Sequence, residues 1–390
     1  MSGALTAESF EAGAAALAPR VRALAEETER GRRLPQELVD GFTRAGIFRM
    51  LVPRRYGGSE VDVATMIATL AELSCADGSA GWCAMIGATS GVTAAYLPQA
   101  EASEIYGTNA DVVTGGVFAP HGRAVVADGG YRVSGRWPFA SGCEHCGWLM
   151  VGAVVLDDGK PRLLSSGMPD SRLMFLPRAG ATVIDTWNVS GLRGTGSHDL
   201  EVADAFVPAG RSVSIITDRP RESGPLYRFP VFGLLALGGA AVALGIARAS
   251  IDELLRLAAA KVPTGGRRRL SERGVIQAQM AEAEAMIGAA RAFLFEAVGE
   301  AWRDAASGDD ISIERRARLR LAATHATISS AKVVDLMYNA GGGTAIYASS
   351  PLQRCFRDVH VVTQHMMVAP ATLELVGRIL FGLDADTAML

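Results

Sequence analysis

The first hundred positions of the chain carry apolar residues at spacings of three and four. Three such stripes are present: Leu17, Val21 and Leu24; Leu38, Phe42 and Ala45; and Met66, Leu70 and Leu73. This spacing places the apolar side chains on one face of an α-helix, so we predict three amphipathic helices. A further apolar segment, residues 80–97, is predicted to close the unit. These patterns predict an N-terminal helical domain over residues 1–110.

The apolar period changes after residue 110. Short runs rich in Val, Phe and Leu alternate with turn signals such as ADGG and DDGK. The runs are VVTGGVF, RAVVA, YRVSGRWPF, WLMVGAVVL, RLLSS, RLMFL, ATVIDTW and LEVADAFVP. Strand-forming runs separated by turn residues are typical of antiparallel β structure. We therefore predict a central antiparallel β domain, a barrel or a sandwich, over residues 111–222.

Helical spacing returns after Pro230 and continues to the end of the chain. Two long apolar seams are present: Ile276, Met280, Ala283, Ile287, Ala290, Leu294 and Ala297; and Leu319, Ala322, Ala326, Val333 and Met337. A further helix is predicted after Pro351. Steps of four and three over this length are typical of helices packed in a bundle. The sequence therefore predicts a C-terminal four-helix bundle over residues 223–390 and an α+β multidomain fold.

Bulk composition narrows the classes of partner. The 390 residues include 38 basic and 41 acidic side chains, giving a formal net charge of -3, which argues against a nucleic-acid partner. Residues 231–247 carry no charge, but this apolar stretch is too short to cross a bilayer, so we predict a buried helix and no membrane association. No basic segment followed by an apolar run opens the chain, and we expect a cytoplasmic protein.

The segment WPFASGCEHCGW, residues 137–148, concentrates candidate chemistry in twelve positions. Cys143 and Cys146 have C-x-x-C spacing with His145 between them. A structural zinc would need a second ligand pair, and a redox dithiol would need a helix N-terminus to lower the thiol pKa. Because the chain offers no second cysteine pair and the motif joins two strand-like runs, we predict no metal site. A metal or thiol scaffold stays as a lesser alternative.

His365 is the histidine with the most unusual surroundings. It is followed by Met366, Met367 and Val368 on the predicted last helix, so a polar ring enters an apolar environment. A hydrogen-bonded core histidine is one explanation. A functional histidine is the other, because this side chain titrates near neutrality. His360 lies five positions earlier and is not on the same helix face, so the two do not form a metal-ligand pair.

Three ordered segments together resemble the acyl-CoA dehydrogenase superfamily. They are YRVSGRWPFASG, GLRGTGSHDLEVADAFVP and AGGGTAIYASSPLQRCFRDVH, and the order of α, β and α regions also matches. The dehydrogenases of this family carry a glutamate base nine residues after the arginine that corresponds to Arg357, where this chain has Met366. Some relatives place the base early in the last domain, yet no acid occurs between Glu222 and Asp252. No carboxylate is therefore placed to take the α-proton of an acyl thioester.

The chain endings SPLQRCFRDVHVVTQH and GRILFGLDADTAML are similar to the oxygenase components of two-component flavin-dependent monooxygenases. This resemblance implies a separate flavin reductase that delivers reduced flavin, usually FMN, with FAD possible. The flavin reacts with O2 to give a C4a-hydroperoxide that oxygenates a small phenolic, amine or sulfur substrate. It also implies a homotetramer formed through the C-terminal bundle. An FAD-dependent acyl-CoA dehydrogenase with an atypical base is the alternative function.

The same resemblance assigns roles to individual residues. It places Trp137, Phe139, Ala140 and Ser141 along the isoalloxazine ring, with Ser141 near N5, and Gly342, Gly343 and Thr344 against the flavin from a neighbouring subunit. His365 corresponds to a histidine held over the flavin, where it would accept or orient a substrate proton or protonate the peroxide. Ser141 and His365 are thus the predicted catalytic residues. Trp82 and Met85 are candidate substrate contacts, with core packing as the alternative.

Overall fold

A computed structural model describes residues 6–390. The N-terminal region is helical up to residue 107, as the apolar stripes predict. Its helices are α1 (Ala7–Gly31), α2 (Gln36–Arg44), α3 (Val63–Ala76), α4 (Gly78–Ser90) and α5 (Gln99–Ala102). Helices α3 and α4 are apolar on most faces because both are enclosed by other elements. The side chain of Asp77 caps α4 by accepting a hydrogen bond from the Ala80 backbone N–H at 2.8 Å.

The central region forms one eight-stranded sheet. Its strands are β1 (Thr114–Ala127), β2 (Gly130–Ala140), β3 (Trp148–Asp157), β4 (Lys160–Pro161), β5 (Ser171–Pro177), β6 (Thr182–Ile184), β7 (His198–Pro208) and β8 (Ser212–Val213). The strand order is β6-β7-β2-β1-β3-β5-β8, with β4 paired to β3. All pairs are antiparallel except β1 with β3, which is parallel because the chain crosses back over residues 141–147 after the β1–β2 hairpin.

Three of the predicted strand runs differ from the structure. VVTGGVF and RAVVA are parts of one strand, β1, whose pairing with β3 shifts register between Val117 and Gly122. RLLSS forms no strand beyond an isolated bridge between Leu163 and Pro169. Leu163 is exposed there, and the following Ser-Ser-Gly residues favour a turn, so the apolar pair has no sheet face to bury.

The C-terminal region is again helical. Its helices are α6 (Pro225–Arg228), α7 (Val231–Ala260), α8 (Gly274–Ser307), α9 (Ile313–Gly341), α10 (Pro351–Val362) and α11 (Ala371–Leu380). The bundle is formed by α7, α8, α9 and α10, with α11 packed against α9. Helix α7 has the length and apolar character of a membrane span, but 83% of its most apolar window is buried in the protein. The predicted buried helix is confirmed.

Helix α7 also fixes where the two helical regions meet. It packs against α3 and α4 of the N-terminal region and against α9 of the C-terminal region. Gly238 allows this approach to α4, because a Cβ added there would lie 2.6 Å from the Cγ atom of Met85. Consequently α4 lies between the sheet and the C-terminal bundle, and residues from all three regions converge around it.

Candidate functional site

The end of β2 is distorted at the position where the site begins. Between Trp137 and Ala140 the register with β7 shifts, so that two residues of β2, Pro138 and Phe139, lie opposite one residue of β7, Asp199. Phe139 within this bulge has a φ of +66° and is 69% exposed, although phenylalanine rarely adopts a left-handed backbone. Bulges and strained residues are common beside functional sites, where they direct a side chain outward. The Phe139 ring contacts Trp187 edge-on, with ring centroids 6.1 Å apart.

Trp137 lies on the opposite side of the strand and is fully buried in the sheet domain. Its indole N–H donates a hydrogen bond of 2.7 Å to the carbonyl oxygen of Gly152. The ring lies over the backbone of Gly122 and Gly135, where an added Cβ would come within 2.1 Å and 2.9 Å of it. The structure therefore places Trp137 in the core of the β domain, two positions before the exposed Phe139.

Ser141 follows the bulge and is buried next to α4. Its Oγ atom accepts a hydrogen bond of 3.0 Å from the indole Nε1–H of Trp82 and lies 2.7 Å from the Oγ atom of Ser197. Gly142 then turns the chain with a φ of +69°, and its N–H donates to the carbonyl oxygen of Thr195 at 2.8 Å. Ser141 is thus held between α4 and the loop that precedes β7.

Trp82 links Ser141 to His365. The Trp82 and His365 rings meet edge-to-face, with centroids 5.4 Å apart at an angle of 72°. Three predicted site residues from three separate regions of the chain therefore form one contact set, Ser141–Trp82–His365. Met85, one turn further along α4, is buried against α7, and the Thr89 hydroxyl lies 3.8 Å from its sulfur atom.

The sequence predicted that His365 lies on the last helix, but in the structure it lies outside any helix. Helix α10 ends at Val362, and His365 lies in the turns before α11. The Thr363 hydroxyl donates to the carbonyl oxygen of His360 at 2.7 Å, which satisfies a terminal carbonyl group, and Pro370 follows within the turn. The Met367 N–H lies 3.4 Å from the Nδ1 atom of His365 and donates to it. This contact favours the tautomer that carries the proton on Nε2.

The surroundings of His365 disfavour its charged form. Burial, and then the nearby guanidinium of Arg320, lower the pKa of His365 to about 4. Arg320 is itself buried on α9 and hydrogen-bonds to Thr372 and to the carbonyl oxygen of Met389. His365 is therefore a neutral hydrogen-bonding group at pH 7.

We expect the His365 ring to titrate near pH 4 in a histidine NMR titration of the folded protein, instead of near the ordinary value of about 6.5. The unfolded chain binds this proton at about pH 6.5, so between these two values acid favours unfolding. The stabilising contribution of neutral His365 is present above pH 6.5 and is lost as the pH falls towards 4. The resonance is assigned by its disappearance in His365→Gln. A midpoint near 6.5 would show that the ring is solvated.

Two hydroxyl residues of this site were not singled out from the sequence. Thr195 and Ser197 lie in the loop before β7, both are buried, and their oxygen atoms are 2.6 Å apart. In the sequence, the stretch GLRGTGSHD indicates only a resemblance to the superfamily. The alternation of Gly194, Thr195, Gly196 and Ser197 could have indicated these two residues. Glycines on either side of a hydroxyl residue let another chain segment come close to that hydroxyl.

Gly342, Gly343 and Thr344 lie far from this contact set within one chain. They form a single turn after α9, where the Lys261 Nζ atom donates to the carbonyl oxygen of Gly341 at 2.7 Å. Met85 packs at Gly238 of α7, and Lys261 follows the other end of that helix. At about 1.5 Å per residue the two points are about 35 Å apart. Within residues 6–390 no hydrogen bond connects the glycine turn with Ser141, Trp82 or His365.

The C-x-x-C pair shows the features of buried core thiols. Cys143 and Cys146 are buried, and each sulfur atom contacts a backbone carbonyl, of Gly196 and Gly142 respectively. Burial raises the pKa of both thiols, of Cys143 to about 12. Within residues 6–390 no group of three or more His, Cys, Asp or Glu side chains could hold a metal ion. Both cysteines lie behind the site, in the turn that follows Ser141.

Helical regions on both sides of an antiparallel-rich sheet, with the contact set at their junction, define the acyl-CoA dehydrogenase-like fold class. The N-terminal domain family of acyl-CoA dehydrogenases matches residues 7–103, and the C-terminal domain family matches residues 237–370. The predicted fold class and the predicted superfamily are confirmed.

Individual relatives narrow the class. An indole-3-acetate monooxygenase of Pseudomonas putida is 37% identical over 365 residues, which cover 93% of this chain and 91% of that protein. The flavin-dependent monooxygenase oxygenase subunit HsaA of Mycobacterium tuberculosis is 32% identical, and its crystal structure superposes with a TM-score of 0.90 over 98% of this chain and 100% of that chain. XiaF from Streptomyces sp., solved with FADH2 and glycerol, superposes with a TM-score of 0.90 at 28% identity over 97% and 96%.

The chain belongs to the family of oxygenase components of two-component flavin-dependent monooxygenases. Its cofactor is reduced flavin, and membership in a two-component system implies a separate flavin reductase as partner. The predicted enzyme class is confirmed.

The side chains present fit a flavin ring beside Ser141. The Phe139 ring is exposed next to Ser141, on a left-handed backbone of the strained kind that is common at ligand-binding sites. The Nε atom of Arg193, two residues before Thr195, is buried and has no hydrogen-bond partner within the described residues, so a donor stays free near the site. An aromatic surface, a hydroxyl and an unused cationic donor are the groups that a polar aromatic cofactor requires.

Proposed function

We propose that this chain oxygenates a small aromatic compound, with reduced flavin held against Ser141 and the substrate between the flavin and His365. The observation that carries the proposal is the contact set Ser141–Trp82–His365, which joins the predicted flavin residue to the predicted substrate residue through one indole ring. Reduced flavin, when bound, supplies the activated oxygen. The chain's own residues exclude water, orient the substrate and hold protons.

Each residue of the site has a distinct part in this proposal. Phe139 and the Ala140 backbone lie along the flavin ring, and the Ser141 hydroxyl lies at N5. His365 is neutral, and its Nε2–H donates to a polar atom of the substrate, which fixes the reacting carbon relative to the flavin. Trp82 holds both catalytic groups in place and forms a dry wall. Met85 contributes to the substrate pocket only through the packing of α4 on α7.

The absence of an acid at position 366 argues for oxygenation over dehydrogenation. Met366 stands nine residues after Arg357, and its side chain is exposed in the single chain. Among the described residues, no carboxylate forms a hydrogen bond or ion pair with Ser141, Trp82 or His365. A dehydrogenase would need a carboxylate base at this place to abstract a substrate α-proton.

We propose FADH2 as the flavin used, in place of FMN, which the sequence-based resemblance predicted with FAD as the second choice. The support is the relative XiaF, which was solved with FADH2. Anaerobic titration of the protein with each reduced flavin measures the two dissociation constants directly. Tighter binding of FMNH2 than of FADH2 would indicate that FMN is the flavin used.

We propose that the active unit is a cytoplasmic homotetramer in which Gly342, Gly343 and Thr344 reach the flavin of a neighbouring subunit. Within one chain the turn contacts Lys261 after the end of α7, about 35 Å along that helix from the Met85 contact at Gly238, which supports a contact supplied by a neighbouring copy. Ile346 and Tyr347, directly after the glycine turn, are 67% and 66% exposed in the single chain, as expected of residues that pack against a neighbour. Light scattering of the purified protein tests the assembly.

The substrate class is tested with a panel of small molecules. Indole-3-acetate is the first compound because of the named relative, followed by a phenol, an aryl sulfide and an aryl amine. With a flavin reductase and NADH, we expect oxygenated product from the indole or the phenol. In a separate assay, an acyl-CoA should leave the flavin bound to the protein oxidised. If only the sulfide or only the amine were oxidised, the substrate would be of that class instead. Reduction of bound flavin by an acyl-CoA would favour the dehydrogenase alternative.

A further inference from the structure

A line of hydrogen bonds connects Trp82 to the loop before β7. The Trp82 Nε1 atom lies 3.0 Å from the Oγ atom of Ser141, which lies 2.7 Å from the Oγ atom of Ser197. The Ser197 Oγ atom is 2.6 Å from the Oγ1 atom of Thr195, and this atom is 2.8 Å from the carbonyl oxygen of Leu192. All four side chains are at most 6% exposed.

The two ends of this line fix the direction of every bond in it. A carbonyl oxygen only accepts, so Thr195 uses its single hydroxyl proton on Leu192. Ser197 must then donate to Thr195, which uses the proton of Ser197. Ser141 must in turn donate to Ser197, while it accepts from the Trp82 indole, a group that only donates. The order is Trp82 to Ser141 to Ser197 to Thr195 to Leu192.

The end of the line is itself fixed. The Leu192 N–H donates to the Asp358 Oδ1 atom at 2.6 Å, and the Leu192 carbonyl oxygen also accepts from the Trp187 indole at 3.1 Å. Leu192 has a left-handed backbone with a φ of +49°, and both Asp358 and Trp187 are buried. Reversing the line would leave the buried Ser141 hydroxyl proton without an acceptor in the line and would turn the Thr195 and Leu192 oxygen atoms towards each other without a proton between them.

We infer that Ser197 and Thr195 are positioning residues that keep the Ser141 hydroxyl an acceptor towards the flavin, so that the site selects reduced over oxidised flavin. The Ser141 hydroxyl donates its proton to Ser197 and accepts from Trp82, so its Oγ atom keeps one free lone pair. Reduced flavin carries a proton on N5 and can donate to this lone pair, whereas oxidised flavin has only an acceptor at N5. The inference rests on the proposed placement of flavin N5 beside Ser141.

The test measures the dissociation constants of oxidised and reduced flavin for the full chain under anaerobic conditions. In the wild type we expect reduced flavin to bind more tightly. In Thr195→Val, Ser197 loses its acceptor and can donate to Ser141, which frees the Ser141 proton to point at N5. The preference for reduced flavin should then fall roughly five- to tenfold, as for the loss of one hydrogen bond. Thr195→Ser keeps the hydroxyl and should retain the wild-type preference.

Ser197→Ala is the second variant, because it removes the acceptor of Ser141 with little change of volume and should lower the preference similarly. An unchanged preference in folded Ser197→Ala and Thr195→Val would overturn the inference, as would a wild type that binds both flavin forms equally. A wild type that binds neither form would instead reject the proposed flavin site. The ratio of two affinities is insensitive to a general loss of stability, so a merely structural role would not move it.

Discussion

Replacing His365 with Ala is expected to lower the product formed per flavin oxidised by about a hundredfold, the lower end of what a positioned proton-transfer or hydrogen-bonding group contributes. The protein should still bind reduced flavin, because Ser141 and Phe139 are unchanged. Reduced flavin should still be consumed by oxygen, and hydrogen peroxide should replace the oxygenated product. The measurement is product against hydrogen peroxide in the reductase-coupled reaction.

His360→Ala is the matched control. His360 lies five residues earlier on α10 and pairs with Asp335, its Nε2 atom 2.9 Å from the carboxylate, away from Trp82. Half-exposed polar pairs of this kind contribute little, so the product formed per flavin oxidised should stay at the wild-type level. If His365→Ala retained wild-type product yield, His365 would be a core residue with no part in the reaction.

Trp137→Ala is expected to lower the free energy of unfolding by about 3–5 kcal/mol, the usual cost of truncating a buried aromatic side chain. The indole is fully buried over Gly122 and Gly135, and its N–H satisfies the carbonyl oxygen of Gly152. Denaturant unfolding followed by circular dichroism measures the loss. The expected effect is on stability, because the ring fills the interior of the β domain.

Phe139→Ala, two positions later, provides the contrast. Its side chain is 69% exposed, so its removal should change the free energy of unfolding by less than about 0.5 kcal/mol. We expect the dissociation constant of reduced flavin to rise several-fold, since an aromatic contact contributes about 0.5–1.5 kcal/mol. A large loss of stability in Phe139→Ala, or none in Trp137→Ala, would reverse the roles of these two residues.

The elements were predictable from the sequence where one local period dominated. The seam that contains Ala283, Ala290 and Leu294 predicts α8 because a buried helix face repeats every three to four residues regardless of what packs on it. The Phe139 bulge was not predictable. It depends on the register of β2 against β7, which lies some sixty positions further along the chain, and no local pattern records such a pairing.

The candidate site was predicted in its members but not in its geometry. Ser141, Trp82 and His365 were each named, yet their contact through Trp82 follows from the way α4 is enclosed between the sheet and the bundle. His365 was expected on a helix because the apolar pattern continues past Val362, whereas α10 ends at Val362 and the Thr363 hydroxyl donates to the carbonyl oxygen of His360. Ser197 was missed because its role depends on the direction of a hydrogen-bond line that only the fold assembles.

The central claim, that reduced flavin at Ser141 delivers oxygen to an aromatic substrate, is tested most directly with isotopically labelled oxygen. The purified chain is mixed with a flavin reductase, NADH, FAD and indole-3-acetate under ¹⁸O₂, and the product is analysed by mass spectrometry. We predict one ¹⁸O atom in each product molecule, with product formation dependent on the chain and on reduced flavin. Product that carries oxygen from water, or dehydrogenation of an acyl-CoA with reduction of the bound flavin, would contradict the claim.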